Sequence, residues 1–113
     1  MAKPVLAVTM GDPAGIGPEL IVKLLSEPEV WAEGHPFVVG DPTVLADVGR
    51  VVGSALSFRE ISTLAEAEFS PPVVDVLCPP GARVGHVTWG RLDAEMGRAA
   101  ALSLEKAFRL AVA

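Results

Sequence analysis

The sequence has little of several features that mark large classes of proteins. It contains one cysteine and no tyrosine, and its nine lysine and arginine residues stand apart against 14 aspartates and glutamates, for a net charge of −5. A single cysteine excludes an internal disulfide framework, and an acidic chain without basic runs is unsuited to nucleic acid. No apolar stretch approaches the ~20 residues that cross a bilayer, and no signal-peptide pattern opens the chain. We therefore expect a soluble, cytoplasmic protein that binds neither nucleic acid nor a membrane.

The 113 residues, half of them apolar, suit one small domain in which strand-like and helix-like segments alternate. The patterns predict strands at 4–9, 36–40, 56–61 and 73–78, and helices at 18–26, 42–53 and from about residue 92 onward. The continuous apolar run of the first strand is typical of a strand buried in a parallel sheet. Residues 81–89 are predicted to form a loop or a short edge strand. This alternation predicts an α/β fold with a mostly parallel sheet and flanking helices.

Each predicted helix carries an apolar face suited to a core. The first places Leu20, Ile21, Leu24 and Leu25 on one face, and the second places Val44, Leu45, Val48 and Val52. The last has a long stripe made of Leu92, Met96, Ala99, Ala100, Ser103, Ala107 and Leu110. Its pattern runs to Ala113 without a residue that commonly ends a helix. This pattern predicts that the chain is the opening part of a longer protein.

The most informative stretch is the glycine-rich segment 10–19, Met-Gly-Asp-Pro-Ala-Gly-Ile-Gly-Pro-Glu, between a strand and a helix. Its G-x-x-x-G-x-G spacing differs from both the dinucleotide fingerprint and the P-loop. Asp12 and Glu19 near a helix N-terminus would also repel a bound phosphate. The segment is better suited to ribose hydroxyls, to an amide such as nicotinamide, or to close packing against another domain. A tight strand–helix connection without any ligand is an equally good interpretation.

Few other residues indicate chemistry. Asp41 follows the second strand, where a ribose-binding acid can lie, but Pro42 favours a helix N-cap instead. Cys78 is better explained as a small core residue at a strand end than as a nucleophile. His35 and His86, both predicted in loops, lack the spacing of a metal site. The remaining candidates are predicted to be a solvated acidic face (Glu66 and Glu68) and packing anchors (Trp31 and Trp89).

The string at residues 9–19 resembles the N-terminal signature of the 4-hydroxythreonine-4-phosphate dehydrogenase family, whose members act in pyridoxal phosphate biosynthesis. It is also similar, more loosely, to the G-D-G-I-G-P-E string of isocitrate and isopropylmalate dehydrogenases. Val38, Gly40 and Asp41 closing a strand, and Gly90 and Gly97 entering an alanine-rich helix, are consistent with the first family. The resemblance implies that residues 1–113 are the N-terminal α/β portion of a longer, two-domain dehydrogenase subunit that acts as a homodimer.

The same resemblance implies the chemistry. Such enzymes use NAD or NADP to oxidise a phosphorylated hydroxy acid, here 4-phosphohydroxy-L-threonine, and a divalent metal (Zn, Mg, Mn or Co) assists the oxidation and the decarboxylation that follows. The metal-binding histidines of the family match neither histidine of this sequence, so its ligands are expected after Ala113 and the 113 residues alone should be inactive. The residues that match the family turn, and that should border the cofactor cleft, are Gly11, Asp12, Gly15, Ile16 and Gly17.

Two alternatives remain open. Relatives with related signatures act on other substrates, including phosphorylated four-carbon sugar acids and a dihydrodiol dicarboxylate. The chain could also be a non-catalytic α/β module that binds a nucleotide or a partner and is complete at Ala113.

Overall fold

A parallel sheet with helices on both faces forms the body of the molecule. The computed structural model describes residues 3–86 and 94–112. Its strands are β1 (Val5–Thr9), β2 (His35–Val39), β3 (Ser57–Ile61) and β4 (Val73–Leu77), and its helices are α1 (Gly17–Leu25), α2 (Pro28–Glu33), α3 (Pro42–Val52) and α4 (Ala94–Val112), with one turn of 3-10 helix at Leu64–Glu66. The strand order is β1-β2-β4-β3, and all pairings are parallel. The predicted α/β class with a parallel sheet and flanking helices is confirmed.

The register aligns the ends of all four strands. Thr9 pairs with Val39, Val39 with Leu77, and Leu77 with Ile61, so the last residues of the strands lie in one row. The loops that follow the strands therefore all begin at this side of the sheet, which we call the carboxyl edge. Open α/β sheets bind their ligands at this edge.

The core has two parts because successive strand residues point to opposite faces. Val38 belongs to the larger cluster, which packs against α1 and α3, whereas Phe37 and Val39 form a smaller cluster with Ala107 of α4. The buried members of the larger cluster are Met10, Ile21, Leu25, Trp31, Val38, Val44, Leu45, Val74 and Val76.

The prediction that β1 is a buried strand is wrong for the described part of the chain. There, β1 pairs with β2 alone and lies at the margin of the sheet. Val5 is 50% exposed and Leu6 39% exposed. A continuous apolar run indicates that a strand is suited to burial on both faces. Whether it is buried depends on the elements that pack around it.

The predicted core faces of the helices are confirmed in most positions and wrong in some. On α1, Ile21 and Leu25 are buried as predicted, but Leu20 and Leu24 are exposed. The buried face is centred one step further round the helix, on Pro18 and Val22. On α3, Val44, Leu45 and Val48 are buried while Val52 is 39% exposed, and on α4 Met96, Ala99, Ser103 and Ala107 are buried, with Ala100 and Leu110 partly so.

One helix and one strand boundary were not predicted. Pro28 starts the short helix α2, where its missing N–H costs nothing, although the sequence pattern used it only as the end of the preceding helix. Trp31 of α2 is buried and donates its Nε1–H to the Leu25 carbonyl at 2.8 Å, which confirms it as a packing anchor. His35 opens β2 rather than lying in a loop.

Residues 81–86 form a loop, as predicted, whereas Trp89, Gly90, Leu92 and Ala113 lie outside the described residues. Within the described ranges, no helix combines the length and the hydropathy needed to cross a membrane.

Candidate functional site at the carboxyl edge

The glycine-rich turn leaves the carboxyl edge directly after β1. Met10 extends the strand pairing by donating its N–H to the Val39 carbonyl at 3.1 Å. Gly11 then takes a φ of +72°, a left-handed conformation that favours glycine. Asp12 closes the turn locally, because its Oδ1 accepts the Ala14 N–H at 2.8 Å and its carbonyl accepts the Gly15 N–H at 3.0 Å. Gly11 and Asp12 therefore shape the turn.

Gly17 is where the turn meets the strand again. A Cβ at this position would lie 2.2 Å from the Met10 carbonyl oxygen, so no side chain fits without a backbone shift. Gly17 also begins α1, with Pro18 in the first turn and no side chain capping the helix N-terminus. The fold itself requires this glycine, because Cα must approach another backbone closely.

Gly15 and Ile16 face outward. A Cβ on Gly15 would make only ordinary contacts with Asp12, and Ile16 is 72% exposed. Both line an open cavity of about 320 Å³. Its other lining residues are Ala14 and Glu19 on the side of the turn, and Val48, Val51 and Val52 on α3. Of the five residues predicted to border the cofactor, these two are the ones that a ligand in this cavity could reach.

The charges near the turn are partly balanced. Glu19 pairs with Lys23 at 3.2 Å on the exposed surface of α1. One oxygen of Asp12 is already engaged by the Ala14 N–H. The turn therefore presents backbone, a large apolar side chain and an uncapped helix end rather than a cradle lined by cations.

Asp41 lies beside this turn, and its carboxylate is fully buried. Oδ1 accepts the Thr43 N–H at 2.8 Å, which confirms the predicted N-cap of α3. Oδ2 accepts two further amides, from Val84 at 2.6 Å and Gly85 at 2.8 Å. The sequence did not reveal these long-range bonds, and they leave the carboxylate engaged within the protein rather than facing a ribose.

A second buried aspartate organises the opposite side of the sheet, and no sequence signal singled it out. Asp75 of β4 binds the Arg59 guanidinium through Oδ1, at 2.7 and 3.0 Å, and accepts the Glu68 and Phe69 N–H groups through Oδ2. Burial acts to raise the pKa of Asp75, but the hydrogen bonds from Arg59 and from the two amides outweigh it, so the pKa is lowered. This cluster fixes the loop between β3 and β4.

Glu66 and Glu68 are exposed, as predicted, but each has a partner. Glu66 accepts the Ser62 and Thr63 N–H groups in a capping box, and these bonds lower its pKa. Glu68 pairs with Arg59 at 3.3 Å.

Cys78 and the two histidines do not form a catalytic group. Burial raises the pKa of the Cys78 thiol to about 11, which keeps it protonated and favours the packing role predicted for it. The His35 ring lies against the Phe69 ring in a tilted arrangement, with centroids 4.9 Å apart, and the exposed His86 pairs through Nδ1 with Asp47 at 2.5 Å. In the described ranges, no three histidine, cysteine, aspartate or glutamate residues converge as metal ligands.

A larger cavity, of about 870 Å³, lies at the other end of the strands. Its lining includes Ala55, Leu56, Pro71 and Pro72, which immediately precede β3 and β4. It is therefore at the amino edge, away from the glycine-rich turn, and its size alone does not make it a ligand site.

The glycine-rich turn at the carboxyl edge of a parallel sheet defines an α/β protein whose ligand side carries this turn, and the comparisons with known proteins show which proteins it is similar to. No family model matches the chain. The sequence is 41% identical over 111 residues to a D-threonate 4-phosphate dehydrogenase of Cupriavidus necator and 33% identical over 111 residues to a 4-hydroxythreonine-4-phosphate dehydrogenase of Desulfosudis oleivorans. These matches cover 95% and 98% of this chain but 32% of each relative.

The fold agrees with the sequence. The crystal structure of a 4-hydroxythreonine-4-phosphate dehydrogenase from Burkholderia phymatum superposes with a TM-score of 0.91 at 31% identity, over 99% of this chain and 33% of that one. The chain thus spans about a third of the length of the relatives it matches. Over that third, its sequence and fold are similar to those of proteins named 4-hydroxythreonine-4-phosphate dehydrogenase and D-threonate 4-phosphate dehydrogenase, which confirms the resemblance predicted from the 9–19 string.

Proposed function

We propose that this chain is the N-terminal part of an NAD- or NADP-dependent dehydrogenase that oxidises the secondary alcohol of a phosphorylated four-carbon hydroxy acid. The observation that carries the proposal is the exposed Gly15–Ile16 segment of the carboxyl-edge turn, beside an open, largely apolar cavity that extends along α3. The chain is similar to proteins named D-threonate 4-phosphate dehydrogenase and 4-hydroxythreonine-4-phosphate dehydrogenase, and this similarity makes a dinucleotide the best-supported ligand of the segment.

The residues of the turn fit one face of such a cofactor. Gly15 leaves room for close approach, Ile16 offers an apolar surface for a ring, and the uncapped N-terminus of α1 offers unshared N–H groups. When bound, the dinucleotide would accept a hydride from the carbinol carbon of the substrate, whose hydroxyl would give up its proton. The turn residues bind and orient the dinucleotide, and no acid or base among them is proposed.

A divalent metal (Zn, Mg, Mn or Co) would make the substrate alcohol more acidic and assist the loss of CO2. The described residues do not offer a fitting ligand group, so we place its ligands elsewhere in the protein. We also propose, from the family resemblance, a homodimer located in the cytoplasm and active only as the longer protein.

Two substrates are favoured by the relatives. The first is 4-phosphohydroxy-L-threonine, in the synthesis of pyridoxal 5'-phosphate, and the second is D-threonate 4-phosphate, named for the relative that is 41% identical. The two differ at C2, which carries an amino group in the first and a hydroxyl in the second.

The test is an assay in which the natural protein is mixed with NAD or NADP and each substrate, with and without each divalent metal. Formation of the reduced cofactor is monitored by its absorbance. We expect turnover with one of the two acids and a clear preference between them. Turnover by residues 1–113 alone would contradict the placement of the catalytic groups, and binding of neither dinucleotide would favour a non-catalytic module.

A further inference from the structure

The loop that follows β4 is fixed to the start of α3 by one buried side chain. Asp41 accepts the N–H groups of Val84 and Gly85, which lie 43 and 44 residues away in the sequence. Gly85 has a φ of +67°, so the chain turns where these amides point at the carboxylate. Both bonds go to the same oxygen, Oδ2, while Oδ1 serves the helix.

This loop packs against the same apolar cluster as the residue that begins the glycine-rich turn. Val84 packs against the apolar cluster that contains Met10 and Val44. Gly40, which precedes Asp41, is so close to Met10 that a Cβ there would lie 2.7 Å from the Met10 Cβ. The Met10 carbonyl is the atom that Gly17 abuts. Met10 thus contacts the start of α1 and the segment after β2, and the loop after β4 packs against the apolar cluster to which Met10 belongs.

We propose that Asp41 is a positioning residue for the dinucleotide: its carboxylate fixes the Val84–Gly85 segment against the apolar cluster that contains Met10 and so holds the Gly11–Gly17 turn in its binding geometry. Asp41 itself does not touch the cofactor. This inference rests on the proposed function, because it assigns a role in binding at the same turn.

The role of the Asp41 carboxylate can be tested by a substitution that replaces one of its two oxygens with an NH2 group. An ionised carboxylate only accepts hydrogen bonds, and Asp41 faces three N–H donors. In Asp41→Asn, an NH2 group must face either the helix amide or the two loop amides, and donor would oppose donor. Only the loop contacts involve residues far along the chain. Their loss should therefore disturb the glycine-rich turn through Val84 and the apolar cluster that contains Met10.

The experiment compares Asp41→Asn with the natural protein by amide hydrogen exchange and by steady-state kinetics. We expect the oxygen of the new amide to stay with the Thr43 N–H, because asparagine is a favoured N-cap, and its NH2 group to face the loop. Exchange at Val84 and Gly85 should then accelerate by about tenfold or more, since both amides lose their acceptor. We also expect KM for the dinucleotide to rise while kcat stays within about twofold, because the reacting groups are untouched.

Two further variants make the test specific. Asp47→Asn is the matched control: Asp47 lies on the same helix and contacts the same loop through His86, but it does not bind the Val84 or Gly85 amide. It should leave both readouts near those of the natural protein. Asp41→Ser keeps an N-cap oxygen for α3 while being too short to serve the loop as well; it replaces Asp41→Asn if that variant fails to fold.

Unchanged exchange at Val84 and Gly85 would overturn the proposal. So would faster exchange with an unchanged KM for the dinucleotide, which would leave Asp41 a purely structural residue and the proposed function intact. Failure of the natural protein to bind either dinucleotide would overturn both, and this would be visible before any variant is made.

Discussion

Asp41 and Asp75 are both buried aspartates that hold a loop to the sheet, yet they are compensated in different ways. Asp75 is paired with the Arg59 guanidinium in addition to two backbone amides, whereas the hydrogen bonds of Asp41 within the described residues come from three backbone amides. A guanidinium supplies a full charge, but amides supply only dipoles whose positions depend on the loop. The charge of Asp75 is therefore balanced by a cation. The hydrogen bonds that Asp41 accepts in the described part of the chain come from amides, two of which belong to the loop that Asp41 holds.

Location separates the two aspartates as well. Asp75 lies within β4, and its ligands belong to β3 and to the loop before β4, on the side away from the glycine-rich turn. Asp41 lies at the carboxyl edge, in contact with the loop that packs against the apolar cluster containing Met10. The comparison predicts that substitutions at the Asp75 cluster change stability, whereas substitutions at the exposed Gly15–Ile16 part of the turn change binding.

The largest effect is expected from Asp75→Asn. It removes the charge that Arg59 binds and places an NH2 group near other donors, so we expect a loss of about 2–3 kcal/mol in the free energy of unfolding, measured by urea denaturation. Asp47→Asn, whose partners Arg50 and His86 are both exposed, should cost less than about 1 kcal/mol. Equal losses for the two variants would show that the Asp75 cluster is no stronger than a surface pair.

Acid should weaken the same cluster. The pKa of Asp75 is lowered in the folded state, so the cluster contributes fully above the unfolded pKa of about 3.9 and loses its contribution as the pH falls through the lower, folded value. The difference in unfolding free energy between the natural protein and Asp75→Asn should therefore shrink between neutral pH and pH ~3. A difference that stays constant over this range would contradict the assignment.

Gly17→Ala tests the close approach of the turn to Met10. Because its Cβ would overlap the Met10 carbonyl, we expect a loss of about 1–3 kcal/mol in unfolding free energy. Gly97→Ala is the control: Gly97 lies in α4 with nothing within 4 Å of a new Cβ, and alanine should stabilise the helix by about 0.5–1 kcal/mol. A Gly17→Ala variant as stable as the natural protein, or more stable, would contradict the close approach of Gly17 to Met10.

The smallest change in stability is expected from Gly15→Ala. Its Cβ makes ordinary contacts, so the unfolding free energy should stay within about 0.5 kcal/mol. Its new methyl group would project beside Ile16 and the open cavity, and we expect weaker dinucleotide binding by calorimetry. Unaltered affinity would remove Gly15 from the proposed cofactor contacts.

The local signals in the sequence predicted much of the fold because they act over a few residues. Asp41 followed by Pro42 gave the N-cap of α3, and Gly53 ends that helix at a φ of +71°. Alternation of apolar runs gave the four strands to within one or two residues. The centre of the α1 face was misjudged because Leu20 and Leu24 are as apolar as the buried residues, and apolarity alone does not say which side meets the sheet.

In the glycine-rich turn, too, the local sequence predicted some features while others depended on tertiary contacts. The order strand, glycines, proline and glutamate predicted its place between β1 and α1, and the exact string predicted the family. Which glycine the fold requires could not be predicted from the string. Gly17 is required because Met10 lies against it and Gly11 because its φ is positive, whereas Gly15 is free of both constraints.

By itself, the sequence determined the fold class, the N-cap of α3, the glycine-rich turn and the family it resembles, since each depends on residues that are neighbours in the chain. Only the tertiary structure decided that β1 lies at the margin of the described sheet, that Asp75 binds Arg59, and that Asp41 holds Val84 and Gly85. These contacts join residues 16 to 44 positions apart, and their partners are selected by the packing of strands and loops rather than by any local pattern.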